Sequence, residues 1–418
     1  MALYDIARRM AAVALAAVDP ERLVREALAA RPERWTAALA LGKAAPAMAR
    51  GTGGALGREA RRLLVRTHGT PGLLDPAWEQ LSGGHPLPDR QSLAAGARVL
   101  HWLAELPPGE PLLAMISGGS SACVEAPAGD LTLEELAAAQ RALLGSGLPI
   151  HAFNAVRKHL SALKGGGALR AGRGPVLALL LSDVPGDDPG TIGSGPFAAD
   201  PSTFADALAA VAPLAVPERV RLRLAAGARG ELPETVKPGD AELARVESIL
   251  LGSAATAAEA AAGEARRSGF TAAIGHLAGE AAEAARGLVA RGRALGGRQA
   301  ALVLGGETTV TLGPESGRGG RNQELALAAA RELAGGSGEL VLTLATDGED
   351  GPTRSAGGIV DGASWAALER AGADPAGALR RHDSQPALAA LPGALLETGS
   401  TGTNVGDLAI YLRSEPSG

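Results

Sequence analysis

The sequence predicts an α/β fold of two domains, each with a largely parallel or mixed sheet flanked by helices. Short apolar runs alternate with Ala- and Leu-rich helical stretches, which is typical of βαβ units. The chain has 418 residues, more than one hydrophobic core usually holds. Its 58 glycines concentrate just after the candidate strands, where parallel sheets form ligand sites. We therefore expect an active site in the cleft between the two domains.

The candidate strands fall into two groups, separated by a segment without helical or strand periodicity. This segment, residues 227–240, is rich in glycine, proline and charge and predicts a domain boundary. The predicted domains are residues 1–240, expected to be Rossmann-like, and residues 241–418. The two helices predicted before Trp35 are not assigned to either domain. The strands are 36–41, 63–67, 112–116 and 176–181 in the first half, and 249–252, 271–274, 301–304, 308–312 and 340–345 in the second.

The composition argues against several classes of function. The formal net charge is -5, so the chain lacks the positive field typical of proteins that bind nucleic acid or anionic membranes. Cys123 is the only cysteine, which excludes an intramolecular disulfide and a Cys₄ zinc site. Residues 3–17 show the spacing of a helix rather than the pattern of a signal peptide, and no apolar run approaches the roughly 20 residues of a membrane span. We expect a soluble, cytoplasmic protein.

A serine- and glycine-rich loop in the first half predicts an anion site. Ser117, Gly118, Gly119, Ser120 and Ser121 follow a candidate strand, and adjacent glycines let successive backbone N–H groups point into one concavity. The hydroxyl groups add further donors. A carboxylate or a phosphate suits this loop, although such turns are also common as simple connections.

Lys43 lies in a second glycine turn, after the strand 36–41 and at the start of a predicted helix. A lysine there can meet a phosphoryl group, because helix N-termini favour anions. The turn is not a Walker A loop, since no glycine stands five positions before Gly42 and no Ser or Thr follows Lys43. Residues 51–57 likewise depart from the dinucleotide fingerprint, because Leu56 replaces its third glycine. The alternative is a solvated lysine at a helix start.

Two acidic turns follow strands, one in each half of the chain. Asp183 and Asp187 form the first turn, and Asp347 and Glu349 form the second. Crowded carboxylates repel one another unless a cation compensates their charge. Mg²⁺ binds one or two such oxygens together with phosphate and water. The turns therefore predict Mg²⁺ ligands, with turn formation by Asp and Pro as the simpler alternative.

Arg321 is the candidate for phosphate contact in the second half. It follows Gly319 and Gly320 and opens a predicted helix, and its planar guanidinium suits bidentate phosphate contact. A further loop of hydroxyls and glycine covers residues 401–404. Cations, anion-binding loops and acidic turns are together the parts that phosphoryl transfer needs.

In their order and spacing, these motifs resemble the type II glycerate kinase family. Residues 42–48, 85–89, 117–121, 154–161 and the Asp183 turn look like the amino-terminal domain of that family. Residues 318–324, 346–353 and 401–405 resemble its carboxyl-terminal MOFRL domain. The resemblance implies transfer of the γ-phosphoryl group of ATP to D-glycerate with Mg²⁺, usually at the 2-hydroxyl, giving 2-phosphoglycerate.

The resemblance also implies roles for individual residues. Lys43 and Arg321 match the positions regarded as catalytic. The other residues divide into substrate or phosphate contacts (Ser117, Gly118, Gly119, Ser120, Ser121, His85, Asn154, Lys158), nucleotide contacts (Gly319, Gly320, Asn322, Thr401, Gly402, Thr403, Asn404) and metal ligands (Asp183, Asp187, Asp347, Glu349).

Several alternatives stay open. A hydroxypyruvate reductase would need a nicotinamide site, for which the sequence has no convincing glycine fingerprint. A non-catalytic sensor of small anions would not need paired acidic turns. His85 could cap backbone, and Arg157, Lys158 and His159 could form a solvated basic helix face. Ser400 stands where the family commonly has proline, which leaves the fine nucleotide contacts open. The phosphorylated hydroxyl and the choice between a monomer and a homodimer are also open.

Overall fold

The computed structural model describes residues 3–31, 34–313 and 315–414, with Leu144 described by its backbone alone. Helices and strands alternate along most of these ranges, and the predicted α/β class is confirmed. The helices are α1 (Leu3–Ala17), α2 (Pro20–Ala29), α3 (Ala45–Gly51), α4 (Arg90–Ala104), α5 (Ser120–Cys123), α6 (Leu133–Leu144), α7 (Ile150–His159), α8 (Gly167–Ala171), α9 (Phe204–Val211), α10 (Glu218–Ala228), α11 (Ala254–Arg267), α12 (Ala281–Arg293), α13 (Arg321–Leu333), α14 (Ser364–Arg370), α15 (Pro375–Arg380) and α16 (Ser384–Ala389). The strands are β1 (Trp35–Leu41), β2 (Leu56–Thr67), β3 (Glu79–Gly83), β4 (Leu112–Ile116), β5 (Val176–Leu181), β6 (Val246–Gly252), β7 (Thr271–Leu277), β8 (Gln299–Gly306), β9 (Glu339–Ala345), β10 (Gly357–Asp361), β11 (Leu395–Leu396) and β12 (Asp407–Ser414).

The described chain forms two compact units. The first unit is Pro20–Leu251, and the second unit combines residues 3–19 with residues 252–414. Helix α1 packs against α11 in the second unit, whereas α2 packs against α3 in the first, which assigns the two helices that the sequence left open. The predicted boundary at 240/241 stays a prediction, although β6, which lies beyond it, joins the sheet of the first unit.

The first unit contains a six-stranded sheet of order β3-β2-β1-β4-β5-β6. Strand β1 pairs in parallel with both β2 and β4, so the chain leaves the β1–β4 pair in opposite directions. Such a pair is a topological switch point, where loops at the carboxyl ends of the two strands leave room for a ligand. Strands β4 and β5 are buried along their whole length, as parallel strands covered by helices on both faces should be.

The second unit contains a mixed sheet of order β11-β10-β9-β12-β8-β7. Strand β12 lies antiparallel between β8 and β9, with Asp407 opposite both Gly306 and Ala345. The first residue of β12 therefore lies at the edge where β8 and β9 end. Strands β10, β11 and β12 were not among the candidate strands.

The predicted strand over residues 308–312 is wrong. This segment forms only an isolated bridge between Thr309 and Glu280. The Glu280 carboxylate accepts hydrogen bonds from the hydroxyl groups of Thr309 at 2.9 Å and Thr311 at 2.8 Å. Thr309 and Thr311 favour a strand by propensity. They lie in a loop here, because their hydroxyl groups donate to the Glu280 carboxylate.

Cys123 is a buried thiol, and burial raises its pKa to about 12, which keeps it protonated and a poor nucleophile. Within the described ranges, no helix combines the length and the apolar character that a membrane crossing requires.

Candidate active site

The loops after β1 and β4 are joined at very short distances. Gly42 has φ +111°, and a Cβ added there would lie 2.5 Å from the carbonyl oxygen of Ser117. The Lys43 N–H donates to the carbonyl of Gly118 at 2.9 Å. The Ser117 hydroxyl accepts from the Ala44 N–H at 3.0 Å and donates to the Leu41 carbonyl at 3.2 Å. Only glycine fits at position 42, and the hydroxyl of Ser117 is engaged in joining the two loops.

Gly119 marks the point where the side chains of Lys43, Thr67 and His85 converge. A Cβ added to Gly119 would lie 3.1 Å from Lys43 Cγ, 3.1 Å from Thr67 Cγ2 and 3.4 Å from His85 Cδ2. The predicted cation and the predicted anion-binding loop are therefore neighbours. This juxtaposition follows from the β1–β4 switch point.

A cavity of about 460 Å³ opens beside this loop. Its floor and walls come from the loop after β4, from α7, and from the loop after β5. Six of the predicted site residues line it, namely His85, Gly118, Gly119, Ser121, Asn154 and Asp183. The structure thus brings together most of the substrate contacts predicted for the first half of the chain.

Three predicted substrate contacts lie outside the lining of this cavity. Ser117 is fully buried and bonded between the loops. Lys158 is buried, with Nζ 3.2 Å from Oδ1 of the buried Asp200, so it forms an internal ion pair rather than a solvated face. Ser120 is buried, and within the described residues its hydroxyl oxygen has no hydrogen-bond partner. Ligand contact by these three residues stays a prediction.

The acidic turn after β5 contributes one carboxylate to the cavity. Asp183 is partly buried and lies in the cavity wall, as does Ser194, whose hydroxyl is 2.8 Å from that of Ser121. Asp187 adopts φ +54°, in the left-handed region, and lies outside the lining. Asp188 accepts from the Thr191 hydroxyl at 2.8 Å, which is a local turn contact. Only the first of the three aspartates reaches the cavity.

In the second unit, Arg321 is the first residue of α13 and is bound by two carboxylates. Its Nε lies 2.5 Å from Asp407 Oδ2 and its Nη2 lies 3.2 Å from Asp407 Oδ1, while Nη1 donates to Glu307. Burial alone would lower the pKa of this guanidinium, but the carboxylate of Asp407 raises it. Burial also raises the pKa of Asp407 to about 6, against the opposing effect of Arg321. Sequence reasoning missed both carboxylates.

The N-terminus of α13 is occupied by a carboxylate of the chain itself. Asp350 Oδ1 accepts from the backbone N–H of Asn322 at 3.1 Å, and Oδ2 accepts from that of Gln323 at 2.8 Å. A Cβ added to Gly320 would lie 2.3 Å from the Asp350 carboxyl carbon. Asn322 is fully buried, and its contact with the nucleotide stays a prediction.

The acidic turn after β9 is tied to the loop of residues 401–404. Thr401 donates its hydroxyl to the Thr346 carbonyl at 2.5 Å and its N–H to the Asp347 carbonyl at 3.3 Å. Thr403 is buried and donates to the carbonyl of Val18 at 2.8 Å. Glu349 is exposed. A predicted metal ligand, Asp347, and a predicted nucleotide contact, Thr401, therefore lie side by side, while Thr403 has an internal role.

Comparison with known proteins agrees with this arrangement. The family model described as "Domain of unknown function (DUF4147)" matches residues 6–225, and the MOFRL family model matches residues 300–407. A D-glycerate 2-kinase of Thermotoga maritima is 39% identical, over 98% of this chain and 98% of its own. The crystal structure of a glycerate kinase from the same organism superposes with a TM-score of 0.86 at 38% identity, covering 98% of this chain and 99% of the other. The chain belongs to the glycerate 2-kinase family.

Members of the glycerate 2-kinase family do not all carry that activity in their names. A relative from Agrobacterium vitis, 38% identical over 98% of this chain and 94% of its own, is named a putative hydroxypyruvate reductase. The resemblance to the family is confirmed for both halves of the chain. The name of this relative makes reduction of hydroxypyruvate the rival activity that an assay should test.

The donor groups available for Mg²⁺ in this member of the family are few in each unit. No cluster of three or more His, Cys, Asp or Glu side chains able to hold a metal ion occurs among the described residues. Protein sites for Mg²⁺ in phosphoryl transfer commonly supply one or two carboxylates, with phosphate and water completing the shell. Asp183 in the cavity wall and Asp347 beside Thr401 fit that donor set.

Proposed function

We propose that this protein transfers the γ-phosphoryl group of ATP to the 2-hydroxyl of D-glycerate, giving 2-phosphoglycerate. The observation that carries the proposal is the convergence of Lys43 on Gly119 beside a cavity that hydroxyl, amide and cationic groups line. The volume of about 460 Å³ is ample for a three-carbon acid. Membership of the glycerate 2-kinase family supports the same reaction.

The first unit supplies groups suited to the acceptor and to the phosphoryl group. Ser121, Ser194 and Asn154 offer hydroxyl and amide groups to an acceptor in the cavity. Lys43 supplies a point charge next to the loop 117–121, where negative charge on a transferring phosphoryl group would be stabilised. Such a charge acts most strongly when the surrounding protein holds it in place before the reaction.

The second unit supplies a guanidinium whose direction is fixed. Asp407 and Glu307 use three N–H donors of Arg321, out of the five that a guanidinium has. The remaining donors suit a phosphate oxygen of the nucleotide. The loop of residues 401–404 and the turn of Asp347 lie side by side and offer further hydroxyl and carboxylate groups.

Mg²⁺ is part of the proposal as a partner of the nucleotide. Asp183 in the first unit and Asp347 in the second are separate candidate ligands for it, and it would neutralise charge on the phosphate oxygens. The chain's own task is then to bind the acceptor, to orient its hydroxyl and to exclude water from the phosphoryl group.

Acceptor-dependent formation of ADP tests the proposal. The assay compares D-glycerate, L-glycerate and glycerol as acceptors, each with Mg²⁺ and with EDTA. We expect rapid ADP formation with D-glycerate and Mg²⁺, and rates near background in all other arms. Equal rates with and without D-glycerate would indicate an ATPase and would contradict the proposal.

The reductase activity is tested in parallel. The purified protein is incubated with hydroxypyruvate and NADH or NADPH, and absorbance at the nicotinamide band is followed. We expect no acceptor-dependent oxidation, because neither the turn at Lys43 nor residues 51–57 form a dinucleotide fingerprint. Sustained oxidation of NADH would favour the rival function.

A further inference from the structure

One face of α7 lines the cavity of the first unit. Ile150, Phe153, Asn154 and Arg157 are spaced at i, i+3, i+4 and i+7, so their side chains project from the same side of the helix. The sequence suggested Asn154 as a contact and left Arg157 on a basic helix face. In the structure, both belong to the cavity wall.

The guanidinium of Arg157 lies in this wall with little to compensate its charge. Its Nη2 donates to the carbonyl of Ser121 at 3.3 Å, and its Cζ lies 5.4 Å from the ring centre of Phe153. Within the described residues, no carboxylate oxygen lies within ion-pair distance of it. A guanidinium has five N–H donors, so most of its hydrogen-bonding capacity stays available to a ligand.

The acid that acts most on Arg157 is already engaged elsewhere. Glu125 accepts from the buried ammonium of Lys164 and from the Ser161 hydroxyl at 2.7 Å. Burial lowers the pKa of Arg157 and the charge of Glu125 opposes that effect, yet an arginine stays protonated at neutral pH. A partly desolvated cation without a paired anion is therefore maintained at the cavity wall, at a cost in stability.

We propose that Arg157 binds the carboxylate of the acceptor, and that it makes this cavity selective for small hydroxy acids over neutral polyols. The inference rests on the proposed function for the identity of the acceptor. A planar guanidinium can meet a carboxylate with two parallel N–H bonds, which fixes the direction of the acid as well as its position. The contact with the Ser121 carbonyl holds Arg157 next to the loop 117–121, so the bound acid lies beside Gly118 and Gly119.

Selectivity follows from the energetics of the cation. A carboxylate compensates the buried charge, whereas glycerol would leave it uncompensated and would also displace water from it. A site built around a charged group rejects analogues that lack the partner charge far better than an apolar pocket rejects a missing methylene. Discrimination between D-glycerate and glycerol should therefore depend on position 157.

The test compares Arg157→Gln and Arg157→Lys with the wild type, and uses Arg141→Gln as the matched control. Arg141 is an exposed arginine of α6 in the same unit and lies outside the cavity lining. Calorimetry measures the Kd of D-glycerate without nucleotide, and kinetics measure KM for glycerate and for ATP. Arg157→Gln should weaken glycerate binding and raise its KM by about 10- to 100-fold, the scale of a charged hydrogen bond, while KM for ATP changes less than about twofold.

Two further readouts separate this role from a merely structural one. Arg157→Lys should recover part of the affinity, because one ammonium keeps the charge but loses the paired geometry. Arg157→Gln should unfold at a temperature equal to or above that of the Arg141→Gln control, because it removes a charge that the folded protein does not compensate. A normal affinity for glycerate in the Gln variant, or a loss confined to ATP, would overturn the assignment of Arg157 to the carboxylate.

The outcomes also separate this inference from the proposed function. Phosphorylation of D-glycerate with an unchanged KM in Arg157→Gln would leave the function intact and overturn the inference. Glycerate binding that depends on Arg157, without any phosphorylation by the wild type, would support the inference and contradict the function. Absence of both binding and phosphorylation in the wild type would overturn both.

Discussion

Asp407 orients Arg321 through a forked ion pair, in which Nε lies 2.5 Å from Oδ2 and Nη2 lies 3.2 Å from Oδ1. Asp407 is 1% exposed and begins β12, and Arg321 begins α13. The pair therefore joins the edge of the sheet to the start of the helix. A guanidinium held in this way loses little conformational freedom when it meets a phosphate.

Loss of this orientation should reduce turnover. In Asp407→Asn, the amide can accept only one of the two N–H groups, so Arg321 gains freedom to turn, and we expect kcat to fall by at least about tenfold. The kcat of Arg321→Lys should fall further than that of Asp407→Asn, because an ammonium cannot form the two parallel hydrogen bonds of the guanidinium. Steady-state kinetics with D-glycerate and ATP measure both variants.

Arg293→Lys is the matched control for this prediction. Arg293 forms a similar fork with Glu339, with both bonds at 2.8 Å. Glu339 begins β9, whereas Asp407 pairs with Ala345 at the other end of that strand. This variant should keep kcat near the wild-type value. If Arg293→Lys lost as much kcat as Arg321→Lys, the loss would reflect a general effect on stability and not a specific role of Arg321.

The buried carboxylate of Asp407 should also make stability depend on pH. Burial raises its folded-state pKa to about 6, whereas an unfolded aspartate titrates near pH 3.9. Between these values the folded state holds a proton that the unfolded state lacks, so ionisation of Asp407 costs stability as the pH rises. Relative to Asp407→Asn, the wild type should therefore lose about 2 kcal/mol of unfolding free energy between pH 4 and pH 6. Denaturant unfolding at several pH values measures the difference; a difference that does not change with pH contradicts the prediction.

Gly42 should tolerate no side chain. A Cβ there would approach the Ser117 carbonyl to 2.5 Å, and φ is +111°. We expect Gly42→Ala to destabilise the protein by about 2 kcal/mol or more and to reduce kcat, because the overlap displaces the loop that carries Lys43. Gly54→Ala is the control, since an added Cβ meets nothing within 4 Å there. A Gly42→Ala variant as stable and as active as Gly54→Ala would show that the two loops can move apart freely.

The sequence predicted which loops of the first unit carry the candidate site residues, because parallel strands follow simple rules. Strands 112–116 and 176–181 are correct to the residue, and the rule that ligands bind at the carboxyl ends of parallel strands brought Lys43 and the loop 117–121 together. The same rule cannot find Asp407. That residue begins its strand instead of following one, and only the antiparallel direction of β12 brings it to the edge where β8 and β9 end.

Contacts between distant segments limited the rest of the prediction. Asp350 follows the acidic turn of Asp347 and Glu349 in the sequence, yet it caps α13 because the chain folds back over Gly320. The hydroxyl of Ser117 looked available for an anion, but the closeness of the β1 and β4 loops engages it internally. Arg157 could be placed on a helix from its spacing, but the absence of a nearby carboxylate within the described residues is visible only in three dimensions.

The central claim, phosphoryl transfer to the 2-hydroxyl of D-glycerate, is tested most directly by ³¹P NMR of the product formed from D-glycerate, ATP and Mg²⁺. Parallel samples contain Lys43→Ala, which should lower kcat far more than it weakens glycerate binding, and Lys237→Ala, a lysine outside the cavity lining. Wild type and Lys237→Ala should give a phosphate resonance split into a doublet by the single proton on C2, while Lys43→Ala gives little product. A triplet from the two protons on C3, no new resonance from the wild type, or full product formation by Lys43→Ala at the wild-type rate would contradict the account.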